Sequence, residues 1–250
     1  MRNLISAGRL HRTAVLASAI GLGSMALLGA TGAAASAAAA PRAAANPEMG
    51  IEWFPTPNAN AGQCGNPTIA DDWAAAPNWT APITIDTDNR IGGCELAFGV
   101  YDPSQDLNGI SIQYTWGVSP GGDAGQCDNP GTYTMPLSEI QNFGTLVTDD
   151  SDNRPGWCSL TFTVSGALPG NVPFGLNIQF YPTPNADVGQ CNGYLPEGDY
   201  YTAQTGSPVT IGLDTDGRGG GCELSLRLQE GDSFGPIHTT ARNAHGAYTS

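Results

Sequence analysis

The chain has 250 residues, with nine basic residues, all arginine, against 23 acidic ones and a formal net charge of −14. Such a surface repels nucleic acid and anionic lipid, and it favours a basic partner, bound cations or simply solubility outside the cell. With 34 glycines and 19 prolines, the composition suits short strands joined by tight turns rather than long helices.

In chain order, Arg2, Arg9 and Arg12 precede an apolar run from Ala14 to about Ala30. Ala-x-Ala cleavage options then crowd the stretch between Ala33 and Ala45. This pattern predicts a secretory signal peptide over residues 1–40, with an uncleaved anchor as the alternative, and a flexible linker over 41–49. No other apolar run is long enough to span a bilayer. The expectation is a secreted, extracellular protein with no membrane attachment once the signal is removed. Loss of the three leader arginines shifts the net charge from −14 to −17.

The remainder repeats itself. Gly62-Gln63-Cys64 recurs as Gly125-Gln126-Cys127 and Gly189-Gln190-Cys191, in steps of 63 and 64 residues. Asp86-Thr87-Asp88-Asn89-Arg90, ending at Cys94, recurs as Asp150-Ser151-Asp152-Asn153-Arg154, ending at Cys158. The third copy is Asp214-Thr215-Asp216-Gly217-Arg218, ending at Cys222. Three β repeats follow, at 50–109, 110–173 and 174–230, with a polar tail at 231–250 that reads as frayed or as a segment that orders on a partner. Six cysteines allow fifteen pairings; in an oxidising compartment, one bridge per repeat is expected, Cys64–Cys94, Cys127–Cys158 and Cys191–Cys222. Each closes a loop of about thirty residues, worth roughly 3–4 kcal/mol in the chain-entropy model.

About four strands are expected in each repeat. Strand one holds Trp53, Trp116 or Phe180, and a second strand falls near Tyr133 and Tyr200–Tyr201. Strand three holds Ile83 and Ile85, Val147, or Ile211 and Leu213. Strand four alternates most cleanly: Cys94, Leu96, Phe98, Val100; Cys158, Leu160, Phe162, Val164; Cys222, Leu224, Leu226, Leu228. Turns at Asp102-Pro103-Ser104 and Gly166–Gly175 lead each strand four into the next strand one. If those neighbours pair, the strands at Ile51 and Leu224 are left to pair with each other and close a ring. The fold class is therefore all-β, a closed pseudo-threefold unit of the β-trefoil or β-prism type, with tandem modules or a sandwich as alternatives.

The recurring Asp-x-Asp-x-Arg stretch invites a calcium reading, but arginine stands where a calcium loop needs an oxygen. Asp86, Asp88 and Arg90, Asp150, Asp152 and Arg154, and Asp214, Asp216 and Arg218 read instead as a structural turn, with glycine at 92, 156 and 220 free to be left-handed. No metal and no cofactor is expected. Outside the leader the histidines are His238 and His245, both in the tail, and the cysteines are expected to be bridged. A catalytic triad therefore has no members, and a paired-carboxylate hydrolase is the enzymatic alternative to a non-enzyme. Aromatics of the variable loops, Trp73, Trp79, Tyr133, Tyr200 and Tyr201, are the binding candidates, with Trp157, which replaces a glycine of the recurring turn. Such rings give large rigid contact area for a protein or a sugar; covering the core is the alternative role.

The Gly-Gln-Cys and Asp-Thr-Asp-Asn-Arg-x-Gly-Gly-Cys pattern, over about residues 51–228, resembles secreted proteins of filamentous actinobacteria built from one cysteine-bounded repeat. It is also similar to the adaptor subunits of umbrella toxin particles, which link a lectin-bearing subunit to a repeat-containing toxin subunit. The resemblance implies an extracellular adaptor with a protein partner and carries over no site residue. The leading expectation is thus a secreted, non-catalytic binding or adaptor protein that engages another extracellular protein. The alternatives are a glycan-binding, lectin-like module and a secreted hydrolase or protease inhibitor.

Overall fold

Strand four of each repeat organises the molecule, since its alternate apolar side chains must all leave water on one side. A computed structural model describes residues 46–59, 64–65, 71–86, 92–120, 122, 125, 127–150, 157–186, 191–214 and 221–231. The signal, most of the linker, the tail from Asp232, and turn residues Asp88, Arg90, Asp152, Arg154, Asp216 and Arg218 lie outside them. Among the described residues the elements are strands, apart from one three-residue 3-10 turn at Pro169–Asn171.

The first repeat forms β1 (Glu48–Pro55), β2 (Cys64–Gly65), β3 (Asp71–Ala75), β4 (Ile83–Asp86) and β5 (Gly93–Tyr101). The second forms β6 (Ser111–Val118), β7 (Cys127–Asp128), β8 (Gly131–Thr134), β9 (Leu137–Ser138), β10 (Val147–Asp150) and β11 (Trp157–Ser165). The third forms β12 (Phe174–Pro182), β13 (Cys191–Asn192), β14 (Tyr201–Gln204), β15 (Val209–Asp214) and β16 (Gly221–Glu230). β1 starts inside the stretch expected to be linker, because buried Met49 continues the alternation of Ile51 and Trp53.

Each strand four pairs antiparallel with strand one of its own repeat. Phe98 lies opposite Ile51, Phe162 opposite Tyr114, and Leu226 opposite Ile178. On its other edge each takes strand three of a different repeat, β10 beside β5, β15 beside β11 and β4 beside β16. The first-cysteine strands β7, β13 and β2 add outside these. The first sheet therefore runs β3-β1-β5-β10-β7, with β9 also on β5. The second runs β8-β6-β11-β15-β13 and the third β14-β12-β16-β4-β2.

This corrects the expected pairing. Strand four does not pair with the following strand one, and the strands at Ile51 and Leu224 do not pair with each other; Leu224 lies between Phe180 and Ile83. The segment between β5 and β6 is far longer than the roughly two to five residues of a hairpin loop. It also folds on itself, with buried Asp102 accepting from the Asp106 and Leu107 amides at 3.0 and 2.9 Å.

Within a repeat, two devices hold strand one against strand four. The first is a hydroxyl clasp at the end of strand one. Thr56 donates its amide to Gly93 O and accepts from Gly93 N, both at 3.0 Å. Thr183 does the same with Gly221, both at 2.9 Å, and Ser119 with Trp157, at 2.8 and 3.1 Å. A proline follows each hydroxyl and starts a tight turn. Gly92 passes beneath the first of these turns with φ of 90°, where a Cβ would come within 2.5 Å of Ala59 Cα.

The second device is the disulfide. The bridges are Cys64–Cys94, Cys127–Cys158 and Cys191–Cys222, with Cα–Cα distances of 5.7, 5.6 and 5.6 Å. The two cysteines of a bridge belong to different sheets: β2 and β5 join the third to the first, β7 and β11 the first to the second, β13 and β16 the second to the third. All three sheets contribute to one buried apolar cluster. The recurring aromatics Trp53, Trp116 and Phe180 sit inside it, and Phe98 packs edge-on against Tyr114 and Phe162. Burial raises the Tyr114 phenol well above its ordinary range, and its hydroxyl donates to Thr145 O.

Candidate functional site

Alternation leaves every sheet with an outer face, and the segment joining strand two to strand three of a repeat decides how that face is finished. Residues 135–146 lie along β5, where Gly144 N donates to Phe98 O at 2.9 Å and Val100 N to Pro136 O at 3.1 Å. Residues 76–82 lie along β16, with Thr80 N donating to Leu226 O at 2.9 Å and Leu226 N to Thr80 Oγ1 at 3.0 Å. Residues 205–208 form a tight turn closed by Gln204 and Ser207.

Four of the six candidate aromatics serve the scaffold or stand alone. Trp73 is in β3 rather than a loop, lying over Gly50 and Gly99 and against Phe143 at 4.6 Å. A Cβ at Gly50 would sit 2.5 Å from the Trp73 ring, so the glycine leaves room for the indole. Tyr133 packs on Tyr114 at 5.4 Å and donates its hydroxyl to Asn129 O at 2.7 Å. Tyr201 faces the core, 5% exposed, opposite Ile178. Trp157 lies on the outer face of β11, beside Gly212.

Trp79 and Tyr200 come together although 121 positions separate them in the chain. Their rings meet edge-on at 5.6 Å, and the Arg227 guanidinium lies over both, 4.6 Å from the Trp79 ring and 5.2 Å from that of Tyr200. Among the described residues Arg227 is the one basic side chain. Beneath it lies a buried polar network. Arg227 donates to the Asn177 amide oxygen through Nη2 at 2.8 Å and Nε at 3.3 Å, with the amide oriented so that its nitrogen faces Thr202 Oγ1. Asn177 is fully buried, and Gln229 closes the network on its other side. Ser225 and Thr80 exchange hydroxyl contacts next to it. Strand parity explains the assembly: Ser225, Arg227 and Gln229 alternate with the core residues Leu224, Leu226 and Leu228, so all three point outward. The result is a planar cation held over two aromatic rings that meet edge-on, suited to recognition by cation–π contact and hydrogen bonding.

Sequence reasoning missed Arg227, Asn177 and Thr80. One signal was legible: Arg227 stands where the other copies of strand four have Gly99 and Thr163. The union of repeats one and three at this patch had no counterpart in the pattern.

Elsewhere the 102–110 and 137–139 segments line a cleft of about 270 Å³. Nearby, burial first and then the Asp106 and Asp102 carboxylates raise the Glu230 pKa above its ordinary value of 4.5. The folded state therefore holds the Glu230 proton more tightly, and stability falls as pH rises from 4.5 through the folded pKa. Glu230→Gln is expected to raise the melting temperature at pH 7. The gain should vanish below the unfolded pKa, where both states are protonated. Equal melting temperatures at pH 7 would count against this placement of the carboxylates.

Among the described residues no His, Cys, Asp and Glu group could hold a metal ion, and no helix is long and apolar enough to cross a membrane. The chain matches no protein-family model, no curated protein and no solved structure.

Proposed function

We propose that the chain is a secreted, non-catalytic binding protein that engages another extracellular protein through the Trp79–Arg227–Tyr200 patch. The clustered tryptophan, arginine and tyrosine carry this reading, because these residue types dominate protein–protein hot spots. The network under Arg227 holds the guanidinium in place before any partner arrives, which lowers the ordering cost of association. Three intramolecular disulfides are typical of extracellular proteins. All six cysteines are bridged, so no thiol is free for nucleophilic work. The resemblance of the repeat to umbrella toxin adaptor subunits supports a place in a secreted assembly. In the same reading, each repeat lends its strand three to the sheet of the preceding repeat, and the first repeat to that of the third, a pseudo-threefold closure of the β-prism kind.

The test is affinity capture from the producing organism's culture medium with the mature, oxidised protein, followed by mass spectrometry. Wild type is expected to retain a stoichiometric secreted protein. Arg227→Ala and Trp79→Ala should each weaken that retention by about thirtyfold or more, the loss of a hot spot worth about 2 kcal/mol. Undiminished capture of the same partner by both variants would sink the proposal.

A further inference from the structure

The second sheet is finished differently from the other two. Where residues 135–146 run along β5 and residues 76–82 along β16, the corresponding segment of the third repeat is only the turn at 205–208. On the outer face of β11, Trp157, Ser159, Thr161 and Thr163 are partly exposed, and Thr132 and Thr210 on the same sheet are exposed. Four threonines cross it in register on adjacent strands, Thr132, Thr115, Thr161 and Thr210. Their hydroxyls pair at 2.8 Å, Thr115 with Thr132 and Thr161 with Thr210. On one side of this row lies Gln113, whose amide donates to Thr134 Oγ1 at 3.4 Å. On the other side the floor drops: Ser159 lies between Gly117 and Gly212, and a Cβ at Gly117 would meet nothing within 4 Å. Trp157 bounds this depression, with Cδ1 3.0 Å from where a Gly212 Cβ would stand, and Asn192 lies opposite Gly212.

We propose that this face is a platform for a neutral polysaccharide. Among the described side chains of this face none is basic, and Asp214 stands opposite Trp157 in register at its end. An anionic polymer finds no basic side chain among these residues to offset its desolvation. A protein interface needs an apolar centre ringed by polar groups, and this face has the reverse, hydroxyls at the centre and one indole at the side. Threonine hydroxyls and the Gln113 and Asn192 amides both donate and accept, so each must find a partner that does likewise when water leaves. Sugar hydroxyls do so, and the C–H face of a pyranose can rest on the flat Trp157 ring beside the depression. The site is on a different sheet from the Trp79–Arg227–Tyr200 patch, so either reading can fail while the other stands.

The experiment is co-sedimentation of the mature, oxidised protein with insoluble cellulose, chitin and mannan, with calcium alginate as the acidic control. Wild type is expected to sediment with at least one neutral polymer, insensitively to salt, and not with alginate. Thr161→Arg and Trp157→Ala are each expected to weaken sedimentation by about tenfold or more, with a change at the exposed Ile140, Ile140→Ala, leaving it unchanged. Thr161 and Trp157 both point away from the core, and thermal melts would verify folding; Thr163→Arg is the second choice if Thr161→Arg does not fold. Failure to sediment with every neutral polymer would overturn the proposal. So would full retention by the Thr161→Arg, or Thr163→Arg, and Trp157→Ala variants.

Discussion

Phe98→Ala is expected to remove about 3–5 kcal/mol of folding stability and to lower the melting temperature by roughly 10–15 °C. Phe98 is fully buried and meets the rings of Tyr114 at 5.0 Å and Phe162 at 5.4 Å, both nearly edge-on. These contacts join β5 of the first sheet to β6 and β11 of the second. The alanine would lose the transfer free energy of the ring and leave a cavity between sheets too rigid to collapse onto it. Equilibrium denaturation in urea is the measurement. A loss below about 1 kcal/mol would mean that the two sheets are not joined through this cluster.

Replacing Cys127 and Cys158 together by alanine is expected to cost about 3–4 kcal/mol, from the loop entropy restored to the unfolded chain. The sequence separation is 31 residues, against 30 for Cys64–Cys94 and 31 for Cys191–Cys222. The three double substitutions should therefore shift the urea midpoint by similar amounts. Each bridge also joins two sheets, so its loss frees one seam of the molecule and leaves the other two closed. A shift several times larger for one bridge would show that its seam lacks the support of the shared core.

Strand four shows what could be read in advance. Its apolar residues recur every second position in three copies, and a period of two has one physical meaning, a strand buried on one face. The cysteines could be read for a similar reason, since one pair per repeat at constant spacing leaves a short loop for each bridge to close. Trp73 and Tyr201 show the limit. An aromatic ring covers the core as readily as it binds, and only its neighbours distinguish the two, Gly50 for Trp73 and Ile178 for Tyr201. The Thr56, Ser119 and Thr183 clasp was visible as a hydroxyl before a recurring proline, but its acceptor and donor lie 37 or 38 residues away.

By itself the sequence determined the all-β class, the three repeats, their disulfides and the buried face of strand four. Those are properties of spacing, and spacing is local. The tertiary structure decided which strands become neighbours, because backbone hydrogen bonding is the same for every partner strand and carries no address. It also decided the sites. Arg227 meets Trp79 and Tyr200 because a segment of the first repeat lies on a sheet of the third, and the third repeat has only a short turn where the other two have longer segments. Both outcomes follow from the length and docking of connecting segments, on which the repeating pattern places no constraint.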